Sequence, residues 1–260
     1  MTVSYDVAAL EAWVQAHDRW LVGLDYDGTL VEIMDSPQAA VLPGARRAQL
    51  LALDAITGLR LVLVSGRSVG SLDEVSKLVE LERIGLHGFE HALPGEAPKP
   101  AEGLDAGFVH RLQVARLRLE GRLQEIPGSW IESKVFALTL HTRGCTAEAE
   151  RRAQTVFRKE FETLEGIALI PGKRVLEVRP AGTDKGTALR KMSDEDGGLP
   201  VFYAGDDTTD EDAFEALRDQ NAFTIKVGQG PSGARYSVAD VRALAQVLDD
   251  LLGLVQAVAG

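Results

Sequence analysis

Residues 21–30 read LVGLDYDGTL, and the interpretation of the whole chain follows from this stretch. Its first residues are small or apolar, as in a strand that is buried in a parallel sheet. Asp25 and Asp27 follow at once, and Gly28-Thr29 turns the chain away. Because buried carboxylates are costly, and because ligands bind at the carboxyl ends of strands in open α/β sheets, the pair predicts a functional site. Two such carboxylates suit a hard cation such as Mg2+, and one of them could attack an electrophile.

Other predicted strands end in polar residues in the same way. The apolar run LRLVLV at 59–64 is followed by Ser65-Gly66-Arg67, and a strand at 200–204 is followed by GDDTTD at 205–210. Further strands are predicted at 84–86 and 222–227, and helices at 4–19, 69–81 and 238–258. Other helices are predicted after Pro43-Gly44, from the residues 183–186 onward, and through Ala213, Phe214 and Leu217. Repeated strand–helix–strand units predict an α/β protein with a doubly wound, Rossmann-like parallel sheet.

Residues 94–100, PGEAPKP, interrupt this rhythm and predict a domain junction. Helical spacing follows at 108–126 and again at 146–164, with strand pairs within 130–143 and 167–179. The parallel pattern resumes afterwards, so the segment is interpreted as an insertion. We therefore expect a core domain of residues 1–95 and 181–260, and a smaller inserted α+β cap domain of residues 96–180.

The composition argues against several classes of function. The chain has 260 residues, 45% of them hydrophobic, a formal net charge of −11 and one cysteine, Cys145. An acidic chain is a poor match for nucleic acid or an anionic membrane, and one cysteine allows neither an internal disulfide nor a cysteine-based zinc site. No apolar run is long enough for a membrane helix, and no signal-peptide pattern is present. We expect a cytoplasmic protein that acts on a small molecule, and a monomer is compatible with the sequence.

The polar strand ends together fit phosphoryl transfer. Asp25 would attack phosphorus and form an aspartyl-phosphate, and Asp27 would protonate the leaving oxygen and then activate water. Ser65 and Lys185 would hold the transferring phosphoryl group, while Asp206 would complete a Mg2+ site. Taken singly, each has a plainer explanation: Ser65 as a helix cap, Lys185 as a solvated lysine, and Asp206 as part of an acidic helix start.

Several motifs occur together in the order of one known family. They are DYDGTL, SGR, GLHGFE, ESK with HTR, GKRVLEVRP, DKGTAL and GDDTTDEDAF, and they span residues 20 to about 236. This set resembles the haloacid dehalogenase superfamily, with a cap after the third core strand, and within it the trehalose-6-phosphate phosphatase family. The resemblance implies a Mg2+ site made by Asp25, the backbone carbonyl of Asp27 and Asp206, with Lys185 contacting the phosphate.

The resemblance also assigns roles to residues around these groups. Asp207 and Asp210 would support the metal from behind its ligands, although either could ligate it. Gly66 and Arg67 are placed among the substrate-binding residues. Apart from the resemblance, Arg67, His87 and Glu90 are expected to brace the site or its hinge.

In the cap, the resemblance implies a set of residues that grip glucose hydroxyls: Glu132, Lys134 and Glu177. The strand at 174–179 supports this by its alternation. Leu176 and Val178 suit the cap's helices, which would leave Glu177 and Arg179 facing the core site. A solvated sheet face is the alternative explanation. His141 and Arg143 stay open between a structural role in the cap and substrate contact.

The function that the resemblance implies is Mg2+-dependent hydrolysis of trehalose 6-phosphate to trehalose and phosphate. Two enzymatic alternatives share the same residues: a phosphatase for sucrose phosphate or a mannosyl phosphate, and a sugar phosphomutase. A third alternative, from a different class, is an inactive sugar-phosphate sensor or a scaffold for a synthase. The presence of Asp25, Asp27, Lys185 and Asp206 argues against that last alternative.

Overall fold

A computed structural model of the chain describes residues 2–34, 36–101, 106–134, 136–172, 174–218 and 221–259. The chain divides into two compact units. Unit 1 comprises Met1–Lys99 and Asp184–Gly260, and unit 2 comprises the intervening Pro100–Thr183. These boundaries lie a few residues beyond those expected from the sequence, after residues 95 and 180. In the described residues, no helix has the length and hydropathy that crossing a membrane would require.

The secondary structure elements are numbered in chain order. The strands are β1 (Val3–Ser4), β2 (Trp20–Leu24), β3 (Leu59–Val64), β4 (Glu82–Gly85), β5 (Glu90–Ala92), β6 (Lys99–Pro100), β7 (Trp130–Ser133), β8 (Leu138–His141), β9 (Ile167–Gly172), β10 (Val175–Pro180), β11 (Val201–Gly205), β12 (Ala222–Val227) and β13 (Tyr236–Val238). The helices are α1 (Val7–Gln15), α2 (Gly44–Asp54), α3 (Val69–Ser76), α4 (Ala106–Leu123), α5 (Ala147–Glu160), α6 (Lys185–Glu195), α7 (Thr208–Ala216) and α8 (Val241–Ala259).

Unit 1 is built on one large sheet with the strand order β1-β13-β12-β11-β2-β3-β4-β5-β6. Adjacent strands from β1 to β4 in this order run parallel, and β5 pairs antiparallel with β4. The chain moves from β2 outward to β4, and later from β11 outward to β13 in the opposite direction. Such a reversal next to a central strand creates a crevice at the carboxyl ends of the strands, where α/β proteins bind ligands.

Helices cover both faces of this sheet, as the apolar strand sequences require. In β2, Trp20, Val22 and Leu24 pack into the core cluster that contains α1, α2, α3 and α8 residues, while Leu21 packs into the cluster of α6 and α7. Gly23 is needed on that second face because a Cβ there would lie 2.7 Å from Leu189 Cδ2. The predicted doubly wound α/β architecture is confirmed.

The sequence prediction failed mainly at element boundaries. The helix predicted at 4–19 is shorter, because Asp6 caps α1 and the preceding residues form β1. The helix predicted at 69–81 ends at Ser76, where Lys77 adopts a left-handed conformation with φ 55°. Part of the segment predicted as a closing helix at 238–258 belongs to β13, which pairs with β1 and β12. These short strands are fixed by pairing with other strands of the sheet, so local periodicity does not reveal them.

Unit 2 contains an antiparallel sheet in the order β7-β8-β10-β9, with α4 and α5 packed in the same unit. One face of the sheet is apolar: Leu138, Leu140, Leu176 and Val178 are buried. The opposite face carries a cross-strand row in which Thr139 lies between Glu132 and Glu177. The predicted alternation along β10, with Leu176 and Val178 buried, is therefore confirmed.

Candidate active site

Functional side chains collect at the carboxyl ends of three neighbouring strands of unit 1. Asp25 follows β2, Ser65 follows β3, and Asp206 follows β11. The central strand β2 pairs with both neighbours, so Leu24 lies between Ala204 and Leu63. This register aligns the three strand ends, and the backbone N–H of Asp25 donates to the carbonyl of Ala204 at 3.0 Å.

Lys185 forms the centre of a buried ion-pair network. The residue begins α6, and its Nζ lies 2.7 Å from Asp25 Oδ1 and 2.8 Å from Asp210 Oδ1. Asp25, Lys185 and Asp210 are 4%, 2% and 0% exposed. An ammonium at this depth is tolerated because two carboxylates share it, and in turn it keeps Asp25 oriented.

Both carboxylate oxygens of Asp210 accept hydrogen bonds from neighbouring groups of the protein. Oδ1 accepts hydrogen bonds from Lys185 Nζ and, at 2.6 Å, from the Tyr203 hydroxyl. Oδ2 accepts from the backbone N–H groups of Asp206 and Asp207, each at 2.9 Å. Asp207 itself caps α7 by accepting from the Thr208 N–H. Asp210 therefore shapes the turn that presents Asp206.

Asp206 is held from the other side by the turn that follows β2. Thr29 Oγ1 lies 3.4 Å from Asp206 Oδ1, and Lys226 Nζ donates to the Asp206 carbonyl. Gly28 has φ +77°, and a Cβ at this position would collide with the Asp206 carboxylate. The glycine after the carboxylate pair thus permits close approach of two turns as well as the backbone conformation.

Asp27 is paired with Arg67 rather than with the buried network. Arg67 donates two hydrogen bonds, from Nε to Oδ2 and from Nη2 to Oδ1, each 2.6 Å long. The Asp27 side chain keeps about a third of its surface exposed, at 36%. The Arg67 backbone N–H donates to Ser65 Oγ at 3.1 Å, so the turn after β3 aims both side chains. Gly66 leaves room for the His87 ring, whose Cε1 would lie 2.6 Å from an added Cβ.

Burial and nearby negative charge raise the pKa values of two carboxyl groups in this site, those of Asp25 and Asp206. Burial raises the pKa of Asp25 to about 8, even though Lys185 opposes the shift. Burial and the neighbouring Asp210 and Asp207 raise the pKa of Asp206 to about 6. For Lys185, burial alone would lower the pKa, but Asp25 and Asp210 outweigh it and hold the ammonium charged. The site thus concentrates more negative charge than its lysine neutralises.

The same carboxylates are placed to hold a metal ion. Asp25, Asp206 and Asp210 each offer one carboxylate oxygen, and these atoms lie within 4.8 Å of one another. Carboxylate oxygens are the ligands that Mg2+ prefers. Because Asp210 already accepts four hydrogen bonds from the described residues, Asp25 and Asp206 are the carboxylates better placed to ligate a cation.

In unit 2, the residues predicted to bind sugar lie together on the polar sheet face. Lys134 Nζ donates to Glu177 Oε2 at 2.8 Å, and Thr139 Oγ1 donates to the same oxygen at 2.8 Å. Burial alone would raise the pKa of Glu177, but Lys134 and Thr139 outweigh it and lower the pKa. Glu132 Oε2 lies 2.8 Å from His141 Nε2. Arg143, left open by the sequence, follows β8 and is exposed.

Three residues of the core site were not singled out from the sequence: Thr29, Tyr203 and Lys226. Tyr203 is 0% exposed, and burial with the nearby Asp210 raises the pKa of its hydroxyl well above 10.0. Its position three residues before Asp206 in a buried strand was the available signal, because a buried tyrosine hydroxyl requires a partner. Lys226 lies in β12, where a lysine among apolar residues points to a polar neighbour in the same way.

Comparisons with known proteins agree on one family. The model of the family described as trehalose-phosphatase matches residues 23–246. The bifunctional trehalose-6-phosphate synthase/phosphatase of Thermoproteus tenax is 35% identical over 236 residues, which are 90% of this chain and 32% of that protein. The trehalose-6-phosphate phosphatase of Escherichia coli K12 is 30% identical over 248 residues, which are 93% of this chain and 86% of that protein.

A solved structure extends the similarity to the fold. The trehalose-6-phosphate phosphatase of Aspergillus fumigatus matches with a TM-score of 0.81 at 28% identity, covering 99% of this chain and 100% of that one. Coverage of the relatives by sequence is uneven. The chain spans about a third of the Thermoproteus protein but most of the Escherichia coli one.

Proposed function

The chain belongs to the trehalose-phosphatase family of the haloacid dehalogenase superfamily, and from this premise we propose that it hydrolyses trehalose 6-phosphate to trehalose and phosphate with the help of Mg2+. The observation that carries the proposal is the buried contact of Asp25 with Lys185, at the carboxyl end of a central strand. Asp27 follows two residues later, where a second carboxyl group is needed for proton transfer. The proposed compartment is the cytoplasm, and the proposed state is a monomer.

Asp25, Asp206 and the backbone carbonyl of Asp27 are the proposed ligands of the cation. The raised pKa values of Asp25 and Asp206 support this role, because a divalent cation would offset the charge that burial makes costly. When bound, Mg2+ would polarise the phosphoryl group and neutralise part of its charge. Asp207 and Asp210 support these ligands without binding the cation themselves. Asp207 caps α7, and Asp210 accepts a hydrogen bond from the Asp206 N–H and so fixes the turn that carries Asp206.

In the first step, Asp25 attacks phosphorus, and the bond between phosphorus and the sugar oxygen breaks. Asp27 gives its proton to that oxygen, so that trehalose leaves with a neutral hydroxyl. Lys185 and Ser65 bind phosphoryl oxygens during the transfer. The product on the enzyme is an aspartyl-phosphate at Asp25.

In the second step, a water molecule attacks the phosphorus of the aspartyl-phosphate. Asp27 takes a proton from this water, the bond between phosphorus and Asp25 breaks, and phosphate leaves. In its carboxylate form Asp27 accepts hydrogen bonds from Arg67 on both oxygens, and this pairing limits the orientations of the group that takes the proton from water. Gly66 leaves room beside this turn for the His87 ring.

Recognition of the sugar is assigned to unit 2. Glu132 and Glu177 accept hydrogen bonds from sugar hydroxyls, and Lys134 donates to them. A neutral polyhydroxy ligand suits this mixture of acceptors and donors, because each sugar hydroxyl can donate to a glutamate or accept from the lysine.

The test is release of phosphate from trehalose 6-phosphate, measured with Mg2+ and after its removal by a chelator. We expect the wild-type protein to release phosphate only with the cation, and Asp25→Asn to lose at least about a thousandfold in kcat. Asp18→Asn, at an exposed carboxylate outside the site, is the matched control and should retain activity. Phosphate release that is unaffected by Asp25→Asn would refute the proposal.

A panel of substrates distinguishes the alternatives. Faster hydrolysis of sucrose phosphate or a mannosyl phosphate would reassign the substrate. Transfer of labelled phosphate to a second sugar position, without release, would indicate a phosphomutase. Binding of trehalose 6-phosphate in calorimetry without any turnover would indicate a sensor.

A further inference from the structure

The polar face of the unit 2 sheet carries a large exposed aromatic side chain. Trp130 is 55% exposed, whereas Trp13 and Trp20 are 8% and 0% exposed. Leaving an indole in water forgoes the stabilisation that its burial would bring. An exposed tryptophan beside polar residues is therefore a candidate contact for a ligand that is apolar on one side.

The Trp130 ring is held in a defined orientation by His141. The two rings stack with their centroids 4.0 Å apart and their planes 5° from parallel. The pairing is built into the sheet, because Trp130 and His141 are register partners in β7 and β8. A side chain that is already ordered loses less entropy when a ligand binds to it.

His141 also connects the aromatic pair to a carboxylate. Its Nε2 lies 2.8 Å from Glu132 Oε2, and Glu132 is two residues from Trp130 on the same face of β7. Within the part of unit 2 that the structure describes, the other oxygen of this carboxylate, Oε1, has no hydrogen-bond partner. The same face thus offers a flat aromatic surface and a hydrogen-bond acceptor next to it.

A pyranose ring has this combination of properties. Its C–H groups give it an apolar face, and its hydroxyls form a polar rim. We propose that Trp130, oriented by His141, stacks on a pyranose ring of the disaccharide while Glu132 accepts from a hydroxyl of that ring. The inference rests on the proposed function and adds an aromatic specificity determinant to it.

Steady-state kinetics test the proposed contact between Trp130 and a pyranose ring. Trp130→Ala is expected to raise KM for trehalose 6-phosphate roughly threefold to tenfold, the range that aromatic contacts of this kind supply. The kcat/KM for p-nitrophenyl phosphate, which has no pyranose ring, should stay unchanged, and Trp130→Phe should restore most of the affinity. Leu117→Ala is the matched control, because Leu117 is 62% exposed on α4 of the same unit.

Fluorescence quenching gives a readout that does not depend on turnover. The chain has three tryptophans, and two of them are buried, so acrylamide quenching reports mainly on Trp130. In the Asp25→Asn protein, trehalose 6-phosphate should protect against quenching, and sorbitol should not. Adding Trp130→Phe should remove the protection.

His141 is a positioning residue in this proposal, and a double-mutant cycle tests that role. His141→Ala should raise KM as Trp130→Ala does, and the double variant should cost less than the sum of the two. Additive losses would overturn the positioning role.

The outcomes separate this inference from the function on which it rests. If the wild-type protein does not hydrolyse trehalose 6-phosphate, the proposed function fails. If the wild-type protein hydrolyses trehalose 6-phosphate, while Trp130→Ala leaves KM unchanged and trehalose 6-phosphate gives no protection from acrylamide quenching, only the proposed role of Trp130 is refuted.

Discussion

At the scale of single residues, the site is defined by carboxyl groups that are held where their charge is unfavourable. The pKa of Asp25 is raised to about 8 from 3.8, and that of Asp206 to about 6. Between pH 3.8 and about pH 8, the pKa values of Asp25 in the unfolded and the folded chain, folded Asp25 binds a proton that the unfolded chain has released. The stability of the cation-free protein therefore falls as pH rises through this window. A cation that replaces the protons would remove this loss.

The first prediction concerns the pH dependence of stabilisation by Mg2+. At a fixed Mg2+ concentration, the increase in Tm should be larger at about pH 8 than at about pH 5.5, because protons compete with the cation for Asp25 and Asp206. Differential scanning fluorimetry with a chelated reference measures the shift at each pH.

Two variants control this measurement. Asp206→Asn should abolish most of the Mg2+-dependent shift, and Asp18→Asn should leave it intact. An equal shift at both pH values would show that the cation does not compete with protons in this site.

At the scale of elements, the site depends on turns that approach each other closely after β2 and β11. Gly28 combines φ +77° with a position where any side chain would meet the Asp206 carboxylate. By contrast, Gly253 lies in α8 with open space around it. A side chain added at Gly28 would therefore clash with a neighbour, whereas one added at Gly253 would not.

The second prediction uses that contrast. Gly28→Ala should destabilise the protein by about 1–3 kcal/mol, through backbone strain and displacement of Asp206, and should weaken the Mg2+-dependent Tm shift. Gly253→Ala should stabilise it by about 0.5–1 kcal/mol, because alanine is the better helix former. Urea unfolding measures both. A neutral Gly28→Ala variant would contradict the close approach of the two turns.

Elements with strong local patterns could be predicted from the sequence, and those fixed by distant partners could not. The strand at 59–64 was placed correctly because a continuous apolar run flanked by polar turns has few alternatives. The strands β1 and β13 were missed because only pairing across the sheet defines them: β1 pairs with β13 from more than two hundred positions away, and β13 also pairs with β12. The same limit applies within the site. The sequence indicated Asp25 and Asp206 but not Tyr203, whose position becomes informative only once Asp210 is known to lie beside it.

At the scale of the whole molecule, two units carry different kinds of chemistry. Unit 1 supplies a buried lysine and clustered carboxylates, which suit a phosphoryl group and a cation. Unit 2 supplies a polar sheet face with paired carboxylates, a lysine and a tryptophan, which suit a sugar. We therefore expect that binding of the leaving group and transfer of phosphate can be impaired separately by mutation.

The third prediction tests the division with two substrates. Glu132→Gln and Glu177→Gln should each lower kcat/KM for trehalose 6-phosphate roughly tenfold to a hundredfold, the worth of a hydrogen bond to a charged group. Hydrolysis of p-nitrophenyl phosphate, which uses only the groups of unit 1, should change less than about twofold. Glu165→Gln, at an exposed glutamate of unit 2, is the matched control for loss of a negative charge. Equal losses on both substrates would mean that these glutamates act on the fold or on the phosphoryl site, because a residue that reads only the sugar cannot alter the hydrolysis of an ester that lacks one.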